Sequence, residues 1–189
     1  MARPRRRDVG WHRLSATEAT RLVAESGLGD GDLVLDVGAG DGALTLPLLA
    51  AGARVVAIET HPGRLATLRG LAQRERRLTV VHADGADLRL PRRGFHVAAN
   101  PPFAITSPLL RRLLQPGTRL LDAHLVLQKG AAHRWAGSHA PGASRWQRVH
   151  EPVLGRTIPR RRFTPAPAQL RLRAEGRRLR AKGRRLRAI

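Results

Sequence analysis

Short apolar runs recur along this chain at regular intervals, with stretches of helical character between them. The runs are rich in Val, Leu, Ile and Ala and hold few polar residues. Strands of this kind, alternating with helices, are typical of a parallel sheet that helices cover on both faces. The sequence therefore predicts an α/β fold in which ligands bind at the carboxyl ends of the strands. The predicted strands are residues 33–37, 54–58, 78–81, 96–99 and 123–127.

The segments between these strands fit helices of ordinary length. Ser15 is a suitable N-cap for a helix over 15–26, because Glu18 stands at the capping-box position. An apolar helix pattern follows the first strand, and a polar helix pattern covers about 62–74 after the second. Residues 130–148 have no clear period and receive no prediction, whereas the alternation of Leu and Arg at 169–173 predicts a last edge strand.

Basic residues are concentrated at the two ends of the chain. The 189 residues include 35 Lys and Arg against 14 Asp and Glu, which gives a formal net charge of +21. Residues 1–8 carry +3 and residues 156–189 carry +12, so the middle keeps only +6. Cationic arms gain affinity for nucleic acid by displacing condensed counterions, and the predicted partner is therefore a phosphate backbone. Solvated tails without a partner are the alternative.

The composition argues against several other classes of protein. No apolar run approaches the roughly 18 residues of a membrane helix, and no apolar core of a signal peptide follows the basic start of the chain. The basic segments also lack the apolar face that a helix lying on a membrane surface would need. The chain has no Cys, which excludes disulfides and thiolate metal ligands, and its 8 His show no ligand spacing. We predict a cytoplasmic monomer without a metal site.

A repeat occupies the end of the chain. Residues 172–178 read LRAEGRR, and the pattern returns at 179–185. A Gly in each copy costs about 1 kcal/mol in a helix, which favours a flexible arm that orders on RNA over a packed helix. Since the length suits one domain, we predict a basic arm at 1–13, one globular domain at 14–172 and a basic tail at 173–189.

A glycine-rich turn follows the first predicted strand. Residues 36–43 read DVGAGDGA and match G-x-G-x-x-A, a pattern whose glycines let the backbone approach a ligand and expose amide donors. Glu59, which stands 19 residues after Gly40 at the end of the second strand, can hold two ribose hydroxyls. These residues alone make a nicotinamide dehydrogenase a candidate.

Three further observations favour S-adenosylmethionine over a dinucleotide. Asp41 places an anion where a pyrophosphate would lie, and a zwitterionic amino acid tolerates that anion better. Asp84, at the end of the third strand, offers an acceptor for an adenine amino group. The length leaves no room for a separate substrate domain. The structural alternatives are a strand-end turn of Asp84 with Gly85 and a surface carboxylate for Glu59.

The sequence NPPF at residues 100–103 follows the fourth predicted strand. Two prolines fix successive φ angles, so the turn is stiff and keeps Asn100 aimed. The side-chain carbonyl of Asn100 and the backbone carbonyl of Pro101 can accept both hydrogens of a flat amino group, while Phe103 stacks on a base. Acceptors on both N–H bonds favour the pyramidal nitrogen that methyl transfer requires. A rigid loop with a buried Phe is the alternative.

These motifs, together with the sequence RRFTPAP at 161–167, resemble the ribosomal RNA adenine dimethylase superfamily. Within it, the chain is similar to the erythromycin-resistance (Erm) methyltransferases over about residues 10–172. The resemblance implies a Rossmann-like class I methyltransferase that uses S-adenosylmethionine. It also implies that the target is the 6-amino group of an adenine in large-subunit (23S) ribosomal RNA. Methylation there confers resistance to macrolides, lincosamides and streptogramin B.

The resemblance also assigns residues to the site. By that assignment the catalytic residues are Asn100, Pro101 and Phe103. The residues it places at the cofactor are His12, Leu14, Gly38, Gly40, Glu59, Asp84 and Asn100.

The chain departs from the family pattern at three places. The family usually has Gln-Asn-Phe-Leu where residues 11–14 read WHRL, so His12 stands where the Asn meets the cofactor and Leu14 keeps its place. The repeat tail stands where the family carries a small helical domain. Pro101 replaces the commoner Ile or Leu, which makes the turn similar to those of DNA adenine and release-factor glutamine methyltransferases. Those two activities, and a non-catalytic RNA-binding protein, are the alternatives.

Overall fold

The computed structural model describes residues 12–166 and the backbone of residues 174–181 and 184–187. Strands and helices alternate along most of the chain, as the apolar runs predict. In chain order the elements are β1 (Arg13–Leu14), α1 (Ala16–Ser26), β2 (Leu33–Val37), α2 (Thr45–Ala50), β3 (Arg54–Glu59), α3 (Pro62–Ala72), β4 (Leu78–His82), β5 (Phe95–Ala99), α4 (Thr106–Leu113), β6 (Leu120–Leu125), α5 (Lys129–Ala136), α6 (Ala143–Trp146), β7 (His150–Ile158), β8 (Phe163–Thr164), β9 (Ala174–Ala181) and β10 (Arg184–Arg187).

Five parallel strands form the central sheet, in the order β4-β3-β2-β5-β6. The first four predicted strands agree with the structure to within one residue at each end. The fifth is shifted, because β6 covers Leu120–Leu125 rather than 123–127. The polar Asp122 interrupts the apolar pattern, so the sequence did not indicate a strand at this residue. In the structure Asp122 lies opposite His96 of β5, and His96 Nδ1 is 2.7 Å from the Asp122 carboxylate.

Alternate residues of the central strands face opposite sides of the sheet and belong to two apolar clusters. In β2, Leu35 packs in the first cluster and Val34 in the second. The first cluster includes side chains of α4, α5 and α6, and the second includes side chains of α1, α2 and α3. Helices therefore cover both faces, as predicted. Residues 130–148 contribute Trp135 and Trp146, whose rings lie 6.5 Å apart in the first cluster.

Helix α1 begins at the predicted cap. The Ser15 hydroxyl accepts a hydrogen bond from the Glu18 N–H, at 3.4 Å. The Glu18 carboxylate does not complete a capping box, because the Ser15 N–H instead donates to the Arg162 carbonyl at 2.7 Å. Glu18 is 3% exposed and contacts the guanidinium groups of Arg156 and Arg162. These ion pairs attach α1 to β7 and to the turn that precedes β8.

The amino-terminal part of the described chain pairs with a distant segment. In the small sheet of β1 and β8, Arg13 lies opposite Thr164 and Leu14 lies opposite Phe163. Leu14 is 1% exposed and packs in the second cluster, as does Phe163. Residues 12–14 are thereby held at the carboxyl edge of the central sheet.

A second sheet has the order β10-β9-β7 and is antiparallel. It lies beside β6, since Cα atoms of β9 and β10 come within 8 Å of that strand. The repeat was expected to form a flexible arm or a packed helix, and the structure has strands there instead. Pairing with β9 satisfies the backbone groups that the edge of β7 would otherwise leave open. The predicted edge strand at 169–173 lies outside the described residues.

Membrane-spanning helices and metal-ligand clusters are absent from the described residues. No helix among them is both long enough and apolar enough to cross a bilayer. No group of three or more His, Cys, Asp or Glu among them is arranged to hold a metal ion. The basic arm predicted at 1–13 falls almost wholly outside the described range.

Candidate active site

A cleft of about 400 Å³ opens at the carboxyl ends of the central strands. This is the edge of a parallel α/β sheet at which ligands are expected. A volume of about 300–1,000 Å³ is typical of small-molecule sites. The residues that line the cleft are Gly38, Ile58, Glu59, Thr60, His82, Ala83, Asp84, Gly85, Pro102, Ala104 and Ile105.

The glycine turn after β2 folds over the end of β3. The N–H groups of Gly38 and Ala39 both donate to the Ile58 carbonyl, at 2.9 and 3.0 Å. The Gly40 N–H donates to Glu59 Oε2 at 2.8 Å. These amides were expected to be exposed donors for a ligand, and that expectation is wrong. A pyrophosphate would need such donors, so their internal use counts against the dinucleotide alternative.

Gly38 brings the glycine turn into contact with the NPPF turn. Its φ is +76°, a conformation that residues with side chains rarely adopt. A Cβ at this position would lie 2.9 Å from Pro102 Cδ and 3.5 Å from Pro101 Cα. Glycine is therefore required here for close approach as well as for backbone conformation.

Glu59 is buried at the end of β3, with 6% of its surface exposed. Its Oε2 accepts the Gly40 N–H, and its Oε1 accepts the N–H groups of Thr60 and His61 at 2.8 and 2.9 Å. A carboxylate offers about four lone-pair sites, so one remains for a ligand hydroxyl. The alternative of a surface carboxylate is wrong, because Glu59 both organises the turn and lines the cleft.

Asp84 also lines the cleft, two residues beyond the end of β4, which pairs with β3. Its Oδ1 accepts the Ala86 N–H at 2.9 Å and caps a short 3-10 helix over Gly85–Asp87. Asp84 therefore forms the turn with Gly85 and also lines the cleft. Gly85 must lack a side chain, because a Cβ there would lie 2.5 Å from Val37 Cγ1.

The Asn100 side chain is fixed by residue 12 of the chain. Its Nδ2 donates to the His12 backbone carbonyl at 2.6 Å. With the amide nitrogen occupied by that bond, Oδ1 is the end of the amide that can accept hydrogens from a target amine. Pro101 is buried behind Asn100, while Pro102 and Phe103 are half-buried. The hydrogen bond to His12, rather than the prolines alone, fixes the Asn100 side chain in the structure.

The His12 side chain joins the same corner of the site. Its ring centroid lies 5.3 Å from that of Phe103, at an interplanar angle of 37°. Its Nδ1 lies 2.8 Å from the Pro165 carbonyl, so that nitrogen carries the donated proton. His12 thus contacts the aromatic ring proposed to stack on the base, whereas it does not line the large cleft.

A small pocket of about 20 Å³ connects this corner to the glycine turn. It is lined by His12, Leu14, Gly38, Gly40 and Asn100, among others, and Gly38 lines both the pocket and the cleft. The predicted cofactor residues therefore divide into two groups. Gly38, Glu59 and Asp84 surround the cleft, and the others surround the adjoining pocket.

Two carboxylates near the pocket have structural partners. Asp41 lies 2.6 Å from Arg13 Nε in a half-exposed ion pair. Asp36 is 1% exposed and accepts the Thr45 hydroxyl at 2.7 Å. Burial raises the pKa of Asp36 to about 7, the Thr45 hydrogen bond opposes the shift, and the charge of Glu59 adds to it.

Sequence reasoning missed several residues of the site. Thr60, His82 and Ile105 line the cleft, and Arg13 neutralises Asp41. Thr60 immediately follows β3, and His82 is the last residue of β4. The rule that places ligands at the carboxyl ends of strands would therefore have found both residues. No local signal would have paired Arg13 with Asp41.

Comparison with known proteins identifies relatives. The family described as "Ribosomal RNA adenine dimethylase" matches residues 14–150. A "Ribosomal RNA small subunit methyltransferase A" of Leifsonia xyli subsp. xyli is 38% identical, over 82% of this chain and 59% of that protein. An "rRNA adenine N-6-methyltransferase" of Bacillus licheniformis is 29% identical, over 77% of this chain and 52% of that protein. The chain thus spans somewhat over half the length of these curated relatives.

Solved structures share the fold. The 23S rRNA methyltransferase ErmE superposes with a TM-score of 0.76 at 24% identity, over 89% of this chain and 68% of that one. A dimethyladenosine transferase from Plasmodium falciparum superposes with a TM-score of 0.76 at 22% identity, over 90% of this chain and 64% of that one. The fold is therefore the Rossmann-like methyltransferase fold that was predicted. From the match over residues 14–150 and the 38% identical relative, the chain belongs to the ribosomal RNA adenine dimethylase family.

Proposed function

We propose that this protein transfers methyl groups from S-adenosylmethionine to the 6-amino group of an adenine in ribosomal RNA. One observation carries the proposal: the Asn100 amide is held by the His12 carbonyl in a pocket that adjoins the cleft lined by Glu59 and Asp84. Membership of the ribosomal RNA adenine dimethylase family supports it.

The cleft residues fit the cofactor. Glu59 keeps an acceptor site for a ribose hydroxyl, and Asp84 keeps Oδ2 for an adenine amino group, because only Oδ1 is used by the Ala86 N–H. Ile58 and Ile105 supply apolar walls for a flat ring. S-adenosylmethionine would contribute an electrophilic methyl group on a sulfonium, which its positive charge activates without help from a metal.

The NPPF turn would hold the target. Asn100 Oδ1 and the Pro101 carbonyl accept the two amine hydrogens, which keeps the nitrogen lone pair out of the adenine ring. Phe103 stacks on the base, a contact worth about 1–3 kcal/mol that any base can make. A loop of RNA provides a base that is already poorly stacked, so flipping it costs little. Positioning supplies most of the rate, and the alkylated nitrogen is acidic enough to lose its proton without a dedicated base.

Two ribosomal RNAs are candidate substrates. The motif resemblance to Erm methyltransferases favours an adenine of 23S RNA, with resistance to macrolides, lincosamides and streptogramin B as the consequence. The 38% identical relative is named for the small subunit, which favours 16S RNA as the second candidate. Methylation of purified small- and large-subunit RNA with labelled donor, followed by mapping of modified adenines, separates them. Macrolide tolerance of a susceptible bacterium that expresses the chain is expected only for the first.

Asn100→Ala tests the chemistry. The variant should lose methyl transfer to ribosomal RNA by at least about a hundredfold while its affinity for S-adenosylmethionine stays within about twofold of wild type, because the cleft carboxylates are untouched. Gln115→Ala, which removes an exposed amide from a turn far from the cleft, is the matched control and should retain full activity. Full turnover by Asn100→Ala would refute the proposed role. Labelled methyl groups on duplex DNA or release factor in place of ribosomal RNA would favour the alternative activities.

A further inference from the structure

A second groove, of about 420 Å³, lies at the amino ends of the central strands. Arg76 and Arg77 immediately precede β4, Arg54 begins β3, and Arg93 lies just before β5. Because the strands are parallel, these residues share the edge of the sheet opposite the NPPF turn. A strand rises about 3.3 Å per residue, so a five-residue strand places this arginine groove roughly 17 Å from the cleft.

The charge of the arginine groove is mostly unneutralised. Arg77 pairs with Glu75, at 3.2 Å. Within the described part of the chain, Arg54, Arg76 and Arg93 have no carboxylate within salt-bridge distance, and all three are exposed. Guanidinium groups bind phosphate oxygens through paired N–H donors. Three free guanidinium groups around one groove therefore form a site for a chain of phosphates.

The dimensions of the groove suit a nucleic acid strand. Its arginines span the adjacent strands β4, β3, β2 and β5, which lie about 4.8 Å apart, so they cover roughly 14 Å. Leu33 and Val56, which are both half-buried, add apolar surface to the groove. Apolar surface between guanidinium groups can contact a base or ribose face, which a single strand exposes and a duplex does not.

We propose that the arginine groove binds a single-stranded segment of RNA through about three phosphates. The segment is distinct from the nucleotide that enters the cleft, given the separation of roughly 17 Å along the strands. The groove thus gives the enzyme a second point of attachment to a folded RNA, on the face turned away from the methyl-transfer site.

The test compares two triple variants of the full chain. One is Arg54→Gln with Arg76→Gln and Arg93→Gln. The control is Arg69→Gln with Arg74→Gln and Arg111→Gln, which removes the same charge from exposed positions on and after α3 and on α4. The probe is a labelled short oligouridine, which has no adenine and so cannot engage the methyl-transfer chemistry. Binding is measured between about 50 and 200 mM salt.

Each phosphate contact to a single strand contributes about 0.7 to the slope of log K against log salt, so the groove triple should lower the slope by about 2. The control triple should leave the slope unchanged. An equal fall in both triples, or no fall in the groove triple, overturns the proposal. The same fall with an RNA duplex as probe overturns its assignment to single strands.

Two further measurements keep the result interpretable. The corresponding triple Arg→Lys variant at positions 54, 76 and 93 should keep the slope, since ammonium groups also neutralise phosphates. A lower slope in this variant, with S-adenosylmethionine affinity unchanged, would contradict the charge mechanism. S-adenosylmethionine affinity should be unchanged in every variant, because none of these positions lines the cleft. A negative result for RNA binding by the arginine groove can therefore be distinguished from a negative result for the proposed methyl transfer.

Discussion

Replacement of Asp36 by Asn should flatten the dependence of protein stability on pH between about 4 and 7. Asp36 is 1% exposed, and burial raises the pKa of its carboxyl from 3.8 to about 7. Between these values the folded protein holds a proton that the unfolded chain has released. Stability from this group is therefore fully present below pH 3.8 and is lost as the pH rises towards 7.

The size of this effect follows from the shift itself. Each pH unit in the window costs about 1.4 kcal/mol of unfolding free energy, so the interval of about three units amounts to roughly 4 kcal/mol. Asn carries no charge, and its Oδ1 can still accept the Thr45 hydroxyl that now lies 2.7 Å from Asp36 Oδ2. Asp36→Asn should thus match wild type near pH 4 and exceed it by several kcal/mol near pH 8.

The assay is urea unfolding followed by tryptophan fluorescence at a series of pH values. Trp135 and Trp146 are both 4% exposed, so their emission reports on core packing. Asp30→Asn is the control, since Asp30 is exposed and its substitution should leave the pH dependence of wild type in place. If wild type and Asp36→Asn lose the same unfolding free energy between pH 5 and 8, the assignment of a buried, protonated Asp36 is wrong.

Three further predictions concern the contacts described above. Gly38→Ala should destabilise the protein by about 1–3 kcal/mol and lower methyl transfer, because the new Cβ would clash with the NPPF turn. The control is Gly70→Ala on α3, where the space around the Cβ is open. Thermal unfolding should show that this control is neutral or stabilising. Under the proposed function, Asp84→Asn keeps the backbone cap but turns an N–H donor towards the adenine amine of S-adenosylmethionine. Calorimetry should then show an affinity for S-adenosylmethionine at least about tenfold weaker. Burial lowers the pKa of His96, but the hydrogen bond with Asp122 and the nearby carboxylate charge raise it overall. The difference in unfolding free energy between wild type and His96→Gln should therefore be largest below pH 6.5 and should shrink as the pH rises above that value. A deficit for His96→Gln that grows with pH would contradict this sign.

The strands and the main site residues could be predicted because their signals are local. Residues 33–37 are apolar and bounded by turn residues, and Ser15 followed by Glu18 marks a helix start whatever the rest of the chain does. Strand β6 was misplaced because the partner of its polar Asp122 is His96 on β5, which the sequence pattern does not reveal.

The contacts that complete the site are not local, and this is why they escaped prediction. His12 and Asn100 stand 88 residues apart, yet the carbonyl of one fixes the amide of the other. The glycine turn was correctly placed, but the acceptors of its N–H groups lie on β3 and depend on how the strands stack. A motif indicates which groups are present, and only the fold decides which of them are already occupied.

The pairing of β1 with β8 affects the order in which the parts of the site can assemble. His12 is held through Leu14 opposite Phe163 and through Pro165, whereas the cleft is built from residues 38–105. A nascent chain that has emerged only as far as β6 already contains every residue that lines the cleft. Its Asn100 gains a seated His12 carbonyl only after residues 163–165 leave the ribosome. During synthesis the residues of the cleft are therefore complete before Asn100 can acquire the carbonyl that fixes its amide.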